Sequence, residues 1–390
     1  MNDVVGKLGD LAAQAGIERV HMLAWRDLDD PEAGGSEVHA STVASLWGKA
    51  GIEVLMRTSH AAGQPELDWR DGYRVIRKAG RYMVFPRAAI SETMGWLGER
   101  DAVVEIWNGM PFFSPVWARV PHVTWLHHVH DQMWFMTLPP RLAKLGHTLE
   151  FRVAPPFYKR TQIVTLSESS KAELVSRLRF KSKRVHVVPP GIDARFSPGG
   201  ERSPHPLVVS AGRLVPVKRF HLLIEAVLPL KERLPDLDVR IVGEGYERDA
   251  LEAQVREARA EDWIHLPGRV DDSELIDLYR RAWVVASASA HEGWGMTITE
   301  AAACATPAVA TRIPGHLDAV DDGRSGVLVQ KPSELTDALA DVLSDDTKRA
   351  RLSAGALEHA NRFTWAATAY GTLKVLADEV IRKRGKPGRR

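Results

Sequence analysis

The sequence predicts an α/β protein built from two doubly wound parallel sheets in tandem. Three observations carry this. Short apolar runs alternate with helical segments almost from end to end, the signature of βαβ units whose sheet is covered on both faces. The 390 residues exceed what one hydrophobic core usually organises. The alternation breaks once, at Val188-Pro189-Pro190-Gly191-Ile192-Asp193 with Ser197-Pro198-Gly199-Gly200 soon after, a turn-rich stretch that reads as a hinge.

In the first half, strands are expected at 20–24, 52–57, 73–77, 102–107, 123–128, 163–166 and 185–188. Gly34-Gly35-Ser36 turns the chain into a helix over 37–50, with Ser36 a plausible N-cap and Gly51 its stop. The second half repeats the alternation, with strands at 207–211, 239–242, 264–266, 283–286, 307–310 and 327–329 and helices near 220–234, 247–260 and 273–282. The expected division is therefore 1–190 and 191–364. A last helix over 365–382 is expected to pack back on the first domain, followed by a basic tail, 383–390. Open parallel sheets bind ligands at the carboxyl ends of their strands, so two of them facing each other should enclose a cleft.

Composition narrows the function. With 52 basic and 50 acidic residues the net charge is only +2, which argues against a body built for nucleic acid. A lone cysteine, Cys304, excludes a disulfide framework and fits a reducing, cytoplasmic setting. The start of the chain lacks a signal-peptide apolar core, and no apolar run approaches a membrane span of about 18 residues. The basic end, Arg382 to Arg390, reads as a solvated tail or as an electrostatic contact with anionic lipid at the inner face of a membrane.

The stretch His291-Glu292-Gly293-Trp294-Gly295-Met296 to Ala303 carries the most chemistry. An apolar strand precedes it and a good helix former follows. Strand, glycine turn, helix is the geometry that presents backbone N–H groups to a phosphate. Glu292 and Glu300 bracket the turn, and two hydroxyl-binding carboxylates beside a phosphate cradle suit a nucleotide sugar. Arg213 and Lys218 follow the first strand of the same half, where they can neutralise a departing diphosphate. A solvated surface pair is the plain alternative for these two cations.

Other motifs are weaker. Asp27-Leu28-Asp29 and Asp236-Leu237-Asp238 both spell Asp-x-Asp, but their positions suggest turn chemistry rather than a metal site. Gly243-Glu244-Gly245 resembles part of a dinucleotide fingerprint, with Arg248 where the third glycine belongs. His127, His128 and His130 fall close together; with no cysteine or carboxylate pair beside them, a zinc set is not expected. Eight of twelve tryptophans precede residue 135. Of these, Trp134 with Phe135 is expected in a loop, lining the acceptor side by stacking on a sugar or sitting at a lipid interface.

Together these residues resemble a retaining glycosyltransferase of the GT-B fold, in family 4. The marks are Gly34-Gly35 after the first strand, Pro189-Pro190-Gly191-Ile192-Asp193, Gly212-Arg213 with Lys218, Glu292 to Glu300, and Pro307-Ala308-Val309-Ala310. The resemblance implies two Rossmann-like domains facing across a cleft. It also implies no metal or other cofactor, a nucleoside-diphosphate sugar as donor, expected to carry a hexose, and a hydroxyl acceptor; the basic tail and the aromatic first half tilt that acceptor towards an envelope glycan or glycolipid. By it, Arg213 and Lys218 bind the diphosphate, and Glu292 positions the sugar with backbone N–H groups of Trp294, Gly295 and Met296. Glu300 takes the ribose hydroxyls, and Gly35 and Gly243 contact the donor. Gly34 and His128 face the acceptor. His127, or His128 if the assignment slips by one, is the histidine near the reacting sugar. The sequence departs from the family where Ala305 replaces a glycine and Trp294 a phenylalanine. Two other readings remain: a nucleotide-sugar epimerase or hydrolase, with Glu105 or Asp131 as its base, and a non-catalytic nucleotide-sugar-binding subunit.

Overall fold

The structure, a computed structural model, describes residues 2–385. It forms two compact units: one runs to Gly191 and resumes at Trp365, and the other is Ile192–Thr364.

The first unit opens with α1 (Asn2–Ala15), β1 (Arg19–Leu23), α2 (Gly35–Lys49), β2 (Glu53–Thr58), β3 (Leu67–Arg70) and β4 (Tyr73–Arg77). It continues through α3 (Val84–Thr93), β5 (Ala102–Ile106), α4 (Ser114–Trp117), β6 (His122–Trp125), α5 (Met133–Thr137) and α6 (Pro140–Thr148). A π-helical turn (Leu149–Val153), α7 (Pro155–Tyr158), β7 (Gln162–Thr165), α8 (Glu168–Arg177) and β8 (Val185–Val187) complete the outward path. The sheet order is β3-β4-β2-β1-β5-β6-β7-β8. Its strands pair in parallel except β3 with β4. β5 and β6 are buried along their whole length, as strands covered on both faces must be.

The second unit holds β9 (Leu207–Ala211), α9 (Phe220–Val227), β10 (Asp238–Val242), α10 (Arg248–Glu257), β11 (Ile264–Gly268) and α11 (Asp272–Arg281). Then come β12 (Val284–Ser287), α12 (Met296–Ala303), β13 (Ala308–Thr311), α13 (His316–Ala319), β14 (Gly326–Val329), α14 (Leu335–Ser344) and α15 (Asp346–Ala360). Its all-parallel sheet runs β11-β10-β9-β12-β13-β14. The chain then returns to the first unit as α16 (Trp365–Arg384), whose Leu373, Leu376 and Val380 join the core formed by α1, α2 and the sheet.

Four local differences from the sequence reading have physical causes. β3 was not foreseen: it pairs with β4 through Asp71-Gly72, both at positive φ, the two-residue turn that Asp-Gly favours. β6 ends at Trp125 rather than at residue 128, so His127 and His128 lie beyond the strand. α9 stops at Val227 because Pro229 tightens the next turn into a 3₁₀ helix. The basic end is partly structural. Arg384 donates to the Ala15 carbonyl at 2.8 Å, binding the end of α1, and Arg382 pairs with Glu379. Residues 386–390 lie outside the described part.

Candidate active site

In a doubly wound sheet the crevice forms where strand order reverses. In the second unit that point lies between β9 and β12, and the residues following their carboxyl ends are Gly212-Arg213 and Ser289 to Gly295. The chain leaves β9, passes Arg213 and places Lys218 in a 3₁₀ turn before α9. Lys218 Nζ forms an ion pair with Glu292, whose carboxylate also accepts from Ser289 Oγ at 2.9 Å. Both side chains are largely enclosed, at 20% and 17% exposure. Burial pushes Glu292 up, but the Lys218 ammonium, His316 and the two donors hold it below its ordinary value. Arg213 is exposed and has no ion-pair partner among the described residues. Of the two cations that follow β9, one is thus already neutralised and the other has no ion-pair partner among the described residues.

Gly295, at φ 108, is the last residue before α12. Its conformation suits glycine, and an added Cβ would lie 3.1 Å from the His316 ring. Gly315 packs as tightly from the other side, where a Cβ would stand 2.7 Å from Glu292 O and Trp294 N. Among the described residues, the N–H groups of Trp294, Gly295 and Met296 reach no backbone acceptor, the ordinary state of a helix start. The Trp294 ring itself is buried edge-on against Phe363, at 4.9 Å between centroids. Only its backbone can serve a ligand.

Glu300 lies half-buried on α12. Burial, and then the carboxylates of Asp272 and Asp193, raise it to about 7; Arg195 and Lys218 offset this only in part. Gly243 has a packing reason of its own: an added Cβ would sit 1.9 Å from Gly212 O. The loops after β9 and β10 lie against each other there, with Gly212 N–H bonded to Val242 O at 2.9 Å.

In the first unit the order reverses between β1 and β5. Gly34 precedes α2, and its N–H donates to Glu37 at 2.8 Å. Ser36 is inside the helix rather than capping it, and its hydroxyl takes the Asn108 side-chain amide at 3.1 Å, tying the end of β5 to the start of α2. His127 follows β6, is buried, and meets His39 of α2 edge-on at 4.9 Å. Burial lowers His127 to about 4, so its ring is neutral near pH 7. His39 is held well below its ordinary value by burial and by His127. Nε2 of His127 and both ring nitrogens of His39 have no hydrogen-bond partner among the described residues. His128 stacks on His130 at 4.8 Å.

Trp134 does not take the place expected for it. It is buried at 9% exposure in α5, and its indole N–H donates to Glu150 at 2.9 Å. One face covers Gly146, where an added Cβ would lie 2.6 Å away, and His130 lies 5.2 Å off. The ring locks α5 to α6, leaving no free face to stack on a sugar. Phe135 beside it is exposed.

Comparison with known proteins now bears on the whole chain. Residues 33–196 match the family described as Glycosyltransferase Family 4, and residues 192–359 match Glycosyl transferases group 1. A D-inositol 3-phosphate glycosyltransferase of Corynebacterium urealyticum is 36% identical over 395 residues, covering 89% of this chain and 93% of that one. The chain is a family 4 glycosyltransferase. Its fold is GT-B: sucrose-phosphate synthase from Thermosynechococcus elongatus superposes with a TM-score of 0.79 at 18% identity, covering 94% of this chain and 99% of that one. Anabaena HepE, solved with UDP and glucose, gives 0.70 at 19% identity, covering 94% of this chain and 100% of that one.

For this glycosyltransferase the structure also exposes what sequence reasoning missed. His316 is buried behind Glu292, its Nδ1 2.8 Å from Thr311 O, and no local motif marks it because it arrives at the start of α13, after the next strand. Asp27 and Asp29 do form a turn, but they also hold the buried Arg77 at 2.7 and 2.5 Å. Asp236 and Asp238 face His205, Arg240 and His265. Glu105 cannot act as a base: it is fully buried and accepts from Phe112 N, Ser114 and Tyr158. Asp131 is likewise engaged, by Arg177 at 2.8 Å and His147 at 3.4 Å.

Proposed function

We propose that this glycosyltransferase moves a hexose, mannose or glucose, from a nucleoside-diphosphate sugar to a hydroxyl acceptor with retention of anomeric configuration and without a metal. The observation that carries the donor reading is the Lys218–Glu292 ion pair just before the start of α12 at a switch point, with the exposed Arg213 following β9 at the same end of the sheet. Arg213, Lys218 and the α12 N–H groups bind the diphosphate and stabilise the charge it gains as the glycosidic bond breaks. Glu292, ionised, accepts from sugar hydroxyls, and Glu300 accepts from the ribose. Gly34 and Gly35, at the start of α2, allow close backbone approach to substrate. His127, held neutral, hydrogen-bonds the transferred sugar rather than attacking it.

The acceptor attacks on the face that the diphosphate leaves, and a phosphate oxygen takes the acceptor proton. Positioning and charge neutralisation then supply the rate. The engagement of Glu105 and Asp131 disfavours the epimerase or hydrolase reading, since neither can activate water. The relative's name, D-inositol 3-phosphate glycosyltransferase, supports a polyol hydroxyl as acceptor, which we place on an envelope glycan or glycolipid.

The test pairs a thermal-shift screen of UDP, GDP and ADP with a transfer assay. The assay offers the matching sugar nucleotide with D-inositol 3-phosphate in one arm and an inositol-bearing lipid in the other. Nucleotide binding with acceptor-dependent release of nucleoside diphosphate and an α-linked product supports the reading. An inverted product, or donor turnover indifferent to acceptor, overturns it.

A further inference from the structure

Between Glu105 and Glu168 the chain carries six Lys and Arg residues and only two acids. Both acids are spent internally. Glu150 is buried and accepts from His130 N, Asp131 N and Trp134 Nε1. Asp131 is held by Arg177 and His147. The six bases, Arg119, Arg141, Lys144, Arg152, Lys159 and Arg160, are exposed, and none has an ion-pair partner among the described residues. Elsewhere exposed bases are mixed: Arg81, Arg195 and Lys374 pair with carboxylates, while Arg87 and Arg213 have no such partner among the described residues, so what marks this stretch is the clustering of unpaired bases with no free acid among them.

Large apolar side chains stand exposed among these bases: Leu142, Leu145, Val153 and Phe157, from 44% at Val153 to 65% at Leu145. They belong to one excursion of the first unit, in which α6, the π-helical turn and α7 pack in succession. On α6 the inward positions are Ala143 and Gly146, so the outward positions hold Leu142 and Leu145 flanked by Arg141 and Lys144. Val153 and Phe157 repeat the arrangement beside Arg152, Lys159 and Arg160. Phe157 is steadied edge-on by Phe113 at 5.6 Å.

We propose that this face, residues 141–160 of the first unit, docks on an anionic lipid bilayer. Exposed apolar side chains interleaved with unneutralised cations match an interface that is apolar below and negatively charged at its surface. A second copy of the same face would bring like charges together, which disfavours self-association. A packed chain links α6 to His128, with His128 on His130 at 4.8 Å, His130 against Trp134 at 5.2 Å and Trp134 over Gly146, so docking would bring a lipid-borne hydroxyl towards the acceptor-side residues named above. Docking itself does not rest on that reading.

The experiment is co-sedimentation of the full chain, without donor or acceptor, with vesicles of neutral phosphatidylcholine and of phosphatidylcholine containing about 30% phosphatidylglycerol. Three variants accompany it: Leu145→Ser with Phe157→Ser; Lys144→Gln with Arg152→Gln; and a chain ending at residue 385. The expected result is binding to anionic vesicles only, weakened as salt approaches 1 M, where screening is nearly complete. Each double variant should lose about tenfold or more in binding while keeping its melting transition and nucleotide thermal shift. The truncated chain should bind nearly as wild type. Equal binding to neutral vesicles, full binding by both double variants, loss only on truncation, or binding to RNA or heparin but not to vesicles would each overturn the proposal. Because the nucleotide shift is read separately, failure of docking leaves the transferase reading standing.

Discussion

Replacing Lys218 by alanine tests the donor site most directly, because the structure gives the side chain two separable effects. The first is on stability. Two unit charges about 4 Å apart attract by roughly 4 kcal/mol at an effective dielectric of 20, but desolvation takes back much of this. With Lys218 gone, Glu292 keeps only Ser289 and the His316 environment. We expect a loss of about 1–3 kcal/mol from that orphaned carboxylate, less than for a fully buried pair because both side chains keep some exposure. Adding Glu292→Gln should return much of it, since the amide needs no cation. The second effect is on the reaction. Losing one preorganised partner of a developing charge costs on the order of 3 kcal/mol, a fall in kcat of roughly a hundredfold. Denaturant unfolding of the two single variants and the double variant measures the first effect, and nucleoside-diphosphate release measures the second. Turnover by Lys218→Ala within a few-fold of wild type, or no stability coupling to Glu292→Gln, would refute the reasoning.

Two further outcomes are expected. Glu300 is raised to about 7, so its protonated form grows as pH falls through neutrality, and a protonated carboxyl accepts hydroxyls poorly. Donor KM should therefore climb below pH 7 in wild type and change little with pH in Glu300→Gln; the same climb in both would point to another group. The raised value also means that Glu300 favours folding most below the ordinary carboxylate range, and that this contribution fades as pH rises towards 7. Ala305 sits at φ 60, a left-handed conformation that glycine adopts freely. Ala305→Gly should raise stability by roughly 0.5–1 kcal/mol in denaturant unfolding, relief of strain outweighing the looser unfolded chain, and a loss would show that the strain is absent.

The positions of Gly243 and Ala305 show how unevenly the site could be read. Gly243 reads as a donor contact only through the family resemblance, its partial Gly-x-Gly fingerprint being weak by itself. The fold adds a second reason, the carbonyl of Gly212, which no local pattern reveals. Ala305 was visible only as a departure from a family pattern, and its dihedral angle explains why a glycine would belong there.

The sequence by itself determined the α/β class and nearly every strand of both sheets, and it marked the stretch Glu292 to Glu300 with Arg213 and Lys218 as the candidate site. All of these are written in local periodicity and in residues adjacent along the chain. Tertiary structure decided the rest. It set Lys218 against Glu292 across 74 residues, brought His316 behind them from the start of α13, and closed Trp134 and Glu105 into the interior. Burial and long-range pairing depend on what the rest of the chain packs around a residue, and no window of sequence contains that.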